Sequence, residues 1–166
     1  MEPFFSGSSL DLYQEPSRRE AKAIRRHLLR RAYADISVTA ANVLPASDAS
    51  YIEGTAGEAV TVGQTVMRKS SDGKIYKGDA NGATNALLGI CVAAAPAVNQ
   101  PIVVQTAGNI NPGGTATAGT IYVLSATAGG IAPSSDLASG HTVCILGVAT
   151  SASNIYLNVF NSEASV

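Results

Sequence analysis

Two histidines and two cysteines are the scarce reactive groups of this 166-residue chain, and their spacing decides whether they can act together. His141 and Cys144 stand three apart in Gly140-His-Thr-Val-Cys144, a separation that puts them on opposite faces of a strand. His27 and Cys91 have no partner at metal-ligand spacing, so no metal site is expected. Asp79-Ala-Asn81-Gly82 opens like a calcium loop, but Thr84 stands where the sixth-position glycine is needed and no glutamate occupies the twelfth. A turn is the better reading. Ser134, Ser135, Asp136, Ser139 and His141 crowd into one Gly-containing stretch. A hydrolytic triad draws its members from separate elements and adds an oxyanion hole, so this stretch reads as a surface loop. Paired carboxylates, a P-loop and a dinucleotide fingerprint are all missing from the sequence, and the glycines at 113, 114 and 119 follow neither phosphate-binding pattern. No catalytic residue and no cofactor is expected, and an enzyme is the least supported class.

What the chain concentrates instead is positive charge. Arg18, Arg19, Lys22, Arg25, Arg26, Arg30 and Arg31 fall within 14 positions, against Glu2, Asp11, Glu15 and Glu20 in the whole of residues 1–34. The remainder reverses the balance, with four basic and eight acidic residues, and holds no Lys or Arg from Gly78 to Val166. Such a split implies two segments with different jobs. The cluster could neutralise several phosphates of a nucleic acid. It could equally be a solvated face, or a clamp that pairs Arg with carboxylates on an acidic protein surface. No aromatic residue is interleaved before Tyr33 and the rest of the chain is acidic, which favours the protein clamp over nucleic acid.

The elements that must position these residues follow from local patterning. Residues 1–16 alternate polar groups with Phe4, Phe5, Leu10, Leu12 and Tyr13, and read as an extended arm with no core of its own. Residues 17–34 read as one short basic helix: Ser17-Arg-Arg-Glu20 has capping-box spacing, and Ala21, Ile24, Leu28 and Ala32 form a narrow apolar stripe. Residues 35–56 read as a linker with candidate strands near Ile36–Thr39 and Tyr51–Glu53. Residues 57–166 read as a β domain. Its expected strands are Ala59–Val62, Thr65–Lys69, Ile75–Lys77, Leu87–Ala93, Pro101–Thr106, Ile121–Leu124, Thr142–Ala149 and Asn154–Phe160. Turn signals part them at Ser71-Asp-Gly73, Asn81-Gly82, Asn111-Pro-Gly-Gly114, Gly129-Gly130 and Ser139-Gly140. The fold class expected is mainly β, a small antiparallel barrel or sandwich with an extended N-terminal arm and one short basic helix.

Composition agrees. Gly, Thr and Val suit short strands and tight turns, charge is 14% of residues, and Trp is absent. Cys91 and Cys144 each sit within an apolar run and read as buried free thiols, with a disulfide as the alternative. Met1-Glu-Pro-Phe-Phe-Ser lacks the basic start and long apolar stretch of a signal peptide, and no apolar run approaches the roughly 18 residues that span a bilayer. A soluble product made in a cytoplasm is expected.

Gly57-Glu-Ala-Val-Thr-Val-Gly-Gln-Thr-Val66, Ser71-Asp-Gly-Lys-Ile-Tyr76 and Leu88-Gly-Ile90 resemble, in order and spacing, the opening of a family of small phage capsid proteins. Gly119-Thr-Ile-Tyr-Val-Leu-Ser125, Gly129-Gly-Ile-Ala-Pro133 and Leu146-Gly-Val-Ala-Thr150 look like its second half, so the resemblance covers about residues 57–160. It implies a decoration (cement) protein of tailed bacteriophages: β-rich, without catalytic residues, trimeric, seated on the outer surface of the head and bridging major capsid protein subunits. Residues 1–50 lie outside the shared pattern. The residues expected to bind the capsid are therefore read from chemistry alone. Phe4, Phe5, Leu10, Leu12 and Tyr13 are apolar anchors, and Arg18, Arg19, Lys22, Arg25, Arg26, Arg30 and Arg31 are donors for acidic capsid loops.

Two rivals stand beside this reading. One is a head-fibre or tail-associated adhesion module binding a host glycan, which clustered surface tyrosines would favour; the six tyrosines (13, 33, 51, 76, 122, 156) are scattered. The other is a nucleic-acid-binding protein acting through the helix, which salt-sensitive retention on DNA would favour.

Overall fold

The computed structural model describes residues 34–82 and 86–166. The expected arm and all of the expected basic helix but Ala34 lie outside the described residues. The described chain is mainly β. Its strands are β1 (Val43–Pro45), β2 (Ser50–Thr55), β3 (Thr65–Arg68), β4 (Ile75–Lys77), β5 (Ala86–Ala93), β6 (Pro101–Pro112), β7 (Ile121–Leu124), β8 (Ile131–Pro133), β9 (Thr142–Ala149) and β10 (Ile155–Ser165). Three-residue 3-10 turns at Ala40–Asn42 and Ser134–Asp136 are the helical pieces among the described residues. Every ladder between these strands is antiparallel, in the order β4-β3-β5-β6-β10-β9-β7-β8, with β1 and β2 also on β6.

The long strand β6 organises the fold. A strand residue has one neighbour on each side. Gln105 pairs with Ile90 of β5 and Tyr51 of β2, so those strands lie on opposite borders. Ala107 pairs with Ser50 of β2 and Asn158 of β10, which puts β10 on the same border as β5. Along that border the sheet therefore forks into two branches, β5-β3-β4 and β10-β9-β7-β8. The side chain of Asn161 bridges the fork: its Oδ1 accepts from the Leu87 N–H at 2.8 Å and its Nδ2 donates to the Leu87 carbonyl at 3.1 Å.

Within its ladder with β10, opposite Leu157, β6 bends at Gly108, whose φ of +89° is open to glycine and strained for other residues. An added Cβ there would collide with the Asp48 carbonyl oxygen. The buried Gln105 side chain serves the bend, donating to the carbonyls of Ala107 at 3.1 Å and Asn109 at 3.0 Å. Asp48 completes it by accepting from Asn109 N at 3.0 Å and Asn109 Nδ2 at 2.9 Å.

The branches curl together and are tied at their far ends. Thr65 N donates to Gly129 O at 3.0 Å, Gly129 N to Gly78 O at 2.7 Å, and Thr142 N to Ala80 O at 2.9 Å. The result is a half-barrel with two apolar clusters. The larger includes Ile90, Ile110, Leu124, Ile131, Leu146, Ile155 and Leu157. The smaller includes Val60, Val66, Ile75, Cys91, Ile102 and Val104. Both terminal strands are covered along their outer borders: Gly57 N donates to Ile75 O on β4, and Ile36 N to Ile131 O on β8, each at 2.8 Å.

Three expectations are corrected. Ala59–Val62 is not a strand; Val60 alone makes a bridge, to Ala95, because the chain turns at Val62-Gly63. Of the two candidate strands in 35–56, Tyr51–Glu53 lies within β2, whereas Ile36–Thr39 is not a strand, although Ile36 is buried; β1 is a further addition to β6. And β6 runs to Pro112, beyond the expected end at Thr106, because the Gly108 bend keeps it in register with β10 and β1.

Candidate docking surface

None of the twelve residues expected to bind the capsid falls among the described residues. The chemistry-bearing residues that it does describe are held by local partners. Asp79 accepts from Asn81 N at 2.8 Å and its carbonyl from Gly82 N at 3.1 Å, the turn expected there. Ser134–Asp136 forms the 3-10 turn of the β8–β9 connection, and His141 Nδ1 accepts from Ala138 N at 3.2 Å. Ser125 Oγ donates to Asp35 Oδ2 at 2.7 Å and accepts from Thr127 N at 2.9 Å, so this nearly buried hydroxyl is fixed in a loop. Cys91 and Cys144 are free and buried. Burial pushes the Cys91 thiol up to about 11 and raises Cys144 as well, which keeps both as unreactive thiols near neutrality. Among the described residues no three His, Cys, Asp or Glu side chains converge on a metal-sized site. Tyr122 is buried with its OH accepting from Thr117 N, while Tyr76 donates to Asp72 Oδ2 at 2.8 Å.

The surface itself is more informative. Within β9, Cys144, Leu146 and Ala149 point to the core, and Val148 points out. Its neighbours in register are Ile121 on β7 and Tyr156 on β10. These three side chains form a straight row across the strands, 42%, 42% and 47% exposed. In the next row Ile145 stands between Val123 and Phe160, the latter 60% exposed. Around Val148 the sheet thus carries apolar side chains on its outward face as well as on its core face. Burying one half-exposed side chain of this size contributes on the order of 1 kcal/mol, so a partner covering the row would gain several such terms.

The opposite branch carries the charge. All four Lys and Arg residues of 34–166 are Arg68, Lys69, Lys74 and Lys77, on the β3–β4 hairpin. Lys69 Nζ lies 4.0 Å from the centroid of the Tyr76 ring. Lys77 Nζ meets Glu58 at 3.9 Å, and Lys74 Nζ donates to Asn99 Oδ1 at 2.8 Å. Arg68 Nη1 donates to Gly73 O at 3.3 Å, leaving its charge without a carboxylate partner among the described residues.

Sequence reasoning missed the apolar row. Its trace was there: Thr142-Val-Cys-Ile-Leu-Gly-Val-Ala149 is apolar at odd and even positions alike, whereas a strand with one wet face alternates. No protein-family model, no curated protein and no solved structure matches the chain.

Proposed function

We propose that the chain is a structural virion protein, a decoration or cement protein that binds the outside of a tailed-phage head and bridges major capsid protein subunits. The observation that carries this reading is the outward apolar row Ile121–Val148–Tyr156 on a branch with no cation, a surface suited to burial against protein. The family resemblance over about residues 57–160 supports it, as does the charge split between the front segment and the rest.

In this reading the work is divided. The apolar row joins sister copies into a homotrimer. The front segment fixes the trimer to the shell, with Phe4, Phe5, Leu10, Leu12 and Tyr13 as apolar anchors and Arg18, Arg19, Lys22, Arg25, Arg26, Arg30 and Arg31 pairing with acidic capsid loops. Many copies, each bound weakly, resist expansion together because every shell subunit is held by several contacts at once. Co-sedimentation with heads lacking the protein tests it. Deleting residues 1–34 should abolish binding and leave a folded β domain by circular dichroism; retained full binding refutes the division.

A further inference from the structure

The borders of the sheet are treated unequally. The outer border of β4 is covered: Gly57 N donates to Ile75 O, and the Glu58 carboxylate accepts from Lys77 N at 2.8 Å. That of β8 is crossed by Ile36, and the strand ends in Pro133. By contrast β2 pairs with β6 along one side only, and among the described residues no main-chain group bonds to its other side. It is six residues long, Ser50-Tyr-Ile-Glu-Gly-Thr55, with neither Lys nor Pro. An uncovered strand of this kind is a template for another main chain, and proteins normally blunt it with Lys, Pro or a covering loop. Here those devices stand elsewhere.

The surroundings of β2 specify what could pair with it. Tyr51 on β2 and Leu44 on the adjoining β1 are 50% and 68% exposed, so the border is flanked by apolar side chains. Its C-terminal end meets the basic hairpin. Ala56 bridges to Ile75, and Asn99, which holds Lys74 Nζ, donates its N–H to Ala56 O at 2.8 Å. A Cβ placed on Gly54 would lie 3.9 Å from Arg68 Nη2. Arg68 and Lys74 thus stand beside this uncovered border rather than on it, with Lys69 and Lys77 on the same hairpin. Edge protection does not explain them, since β4 is already covered by Gly57 and Glu58.

We propose that the open border of β2 takes up an extended, acidic segment of the shell protein by strand addition, with Arg68 and Lys69 pairing with its carboxylates. The inference rests on the cement reading and adds a second attachment point, on the β domain rather than in the front segment.

The test uses the full-length chain and heads lacking it. Successive backbone N–H groups of a strand point to opposite sides, so of the single variants Tyr51→Pro, Ile52→Pro and Glu53→Pro at least one removes an outward donor without touching the β6 ladder. Proline variants that melt at the wild-type temperature should bind heads roughly tenfold more weakly or worse. The double variant Arg68→Glu/Lys69→Glu should bind weakly and lose salt sensitivity. Folded proline variants that bind like wild type overturn the proposal and leave the cement reading standing. A change in subunit number by light scattering, with head binding unchanged, also overturns it by giving the border to a second copy. Wild-type protein that ignores heads removes the cement reading, and the proposal with it.

Discussion

The two branches of the forked sheet are built on the same antiparallel ladder and differ in what they do with their outer surface. In β5-β3-β4 the outward positions near the hairpin hold Arg68, Lys69 and Lys77, each engaged with a carbonyl, a ring or a carboxylate. In β10-β9-β7-β8 they hold Ile121, Val148, Tyr156 and Phe160, and no cation is present in the sequence from Gly78 onward. A surface destined for water keeps its charges, because charged groups hold their hydration and limit association. A surface destined for a protein partner sheds them, because each buried charge costs several kcal/mol of desolvation. The contrast therefore marks which branch offers an apolar face for burial and which offers charges that can pair with a partner.

The largest expected effects come from β9, where the two faces separate folding from association. Leu146 is fully buried and points into the larger cluster; Val148, two positions on, faces out. Leu146→Ala removes buried methyl groups and leaves a cavity, so it should lower stability by about 2–5 kcal/mol in a urea titration. Val148→Ser should stay within about 0.5 kcal/mol of wild type in the same titration and yet shift light scattering toward smaller species. Equal loss of stability in both variants would mean that the outward row is part of the fold, and the contrast between branches would collapse.

A smaller effect is expected where the branches part. Asn161→Ala deletes both bonds to the Leu87 main chain and leaves its N–H and carbonyl at the fork to find water. Because Asn161 is exposed, water can replace part of what is lost, and the cost should be about 1 kcal/mol. Asn161→Asp keeps the acceptor for Leu87 N and loses the donor, so it should fall between Ala and wild type. The measurement is the melting temperature, with hydrogen exchange at Leu87 to place the loss at the fork.

Much of this fold was legible in the residues. Strands β3, β4, β5, β7, β9 and β10 were readable within a few positions, because Val, Ile and Tyr runs bounded by Gly, Asn and Asp leave few other choices. The illegible parts share one cause. Strands β1 and β8 have three residues each, both with Pro, and become strands only because β6 and β7 lie beside them. The fork is likewise invisible, since it depends on Gln105 and Ala107 each pairing to two sides and on one asparagine reaching a distant strand. Of the candidate site, the anchors and arginines read from residues 4–31 lie outside the described residues. The apolar row was hidden because its members become neighbours only through register.

The smallest effects, and the ones that bear most directly on the two branches, belong to two aspartates that titrate in opposite directions. Asp72, in the basic hairpin, is held below its ordinary value of 3.8. The Lys74 N–H donates to its carboxylate, Tyr76 OH does the same, and the charges of Lys74 and Lys69 add to this. Asp136, in the branch without cations, is raised from 3.8: burial opposes its charge, Asp35 repels it, and His141 offsets this in part. A depressed pKa means that the folded state favours the carboxylate. The contribution of Asp72 is therefore present above the unfolded value and fades as pH falls through the folded one. A raised pKa means that the folded state favours the acid. Asp136 contributes fully below 3.8 and loses that contribution as pH rises through its folded value, so at neutral pH its charge is a burden. Asp72→Asn should accordingly lower the melting temperature slightly at pH 7 and leave it unchanged near pH 2. Asp136→Asn should raise it slightly at pH 7 and also converge with wild type in acid. Melting curves of the two variants from pH 2 to 7 that move in the same direction would show that hydrogen bonding at Asp72 and burial at Asp136 do not set the sign of their contributions.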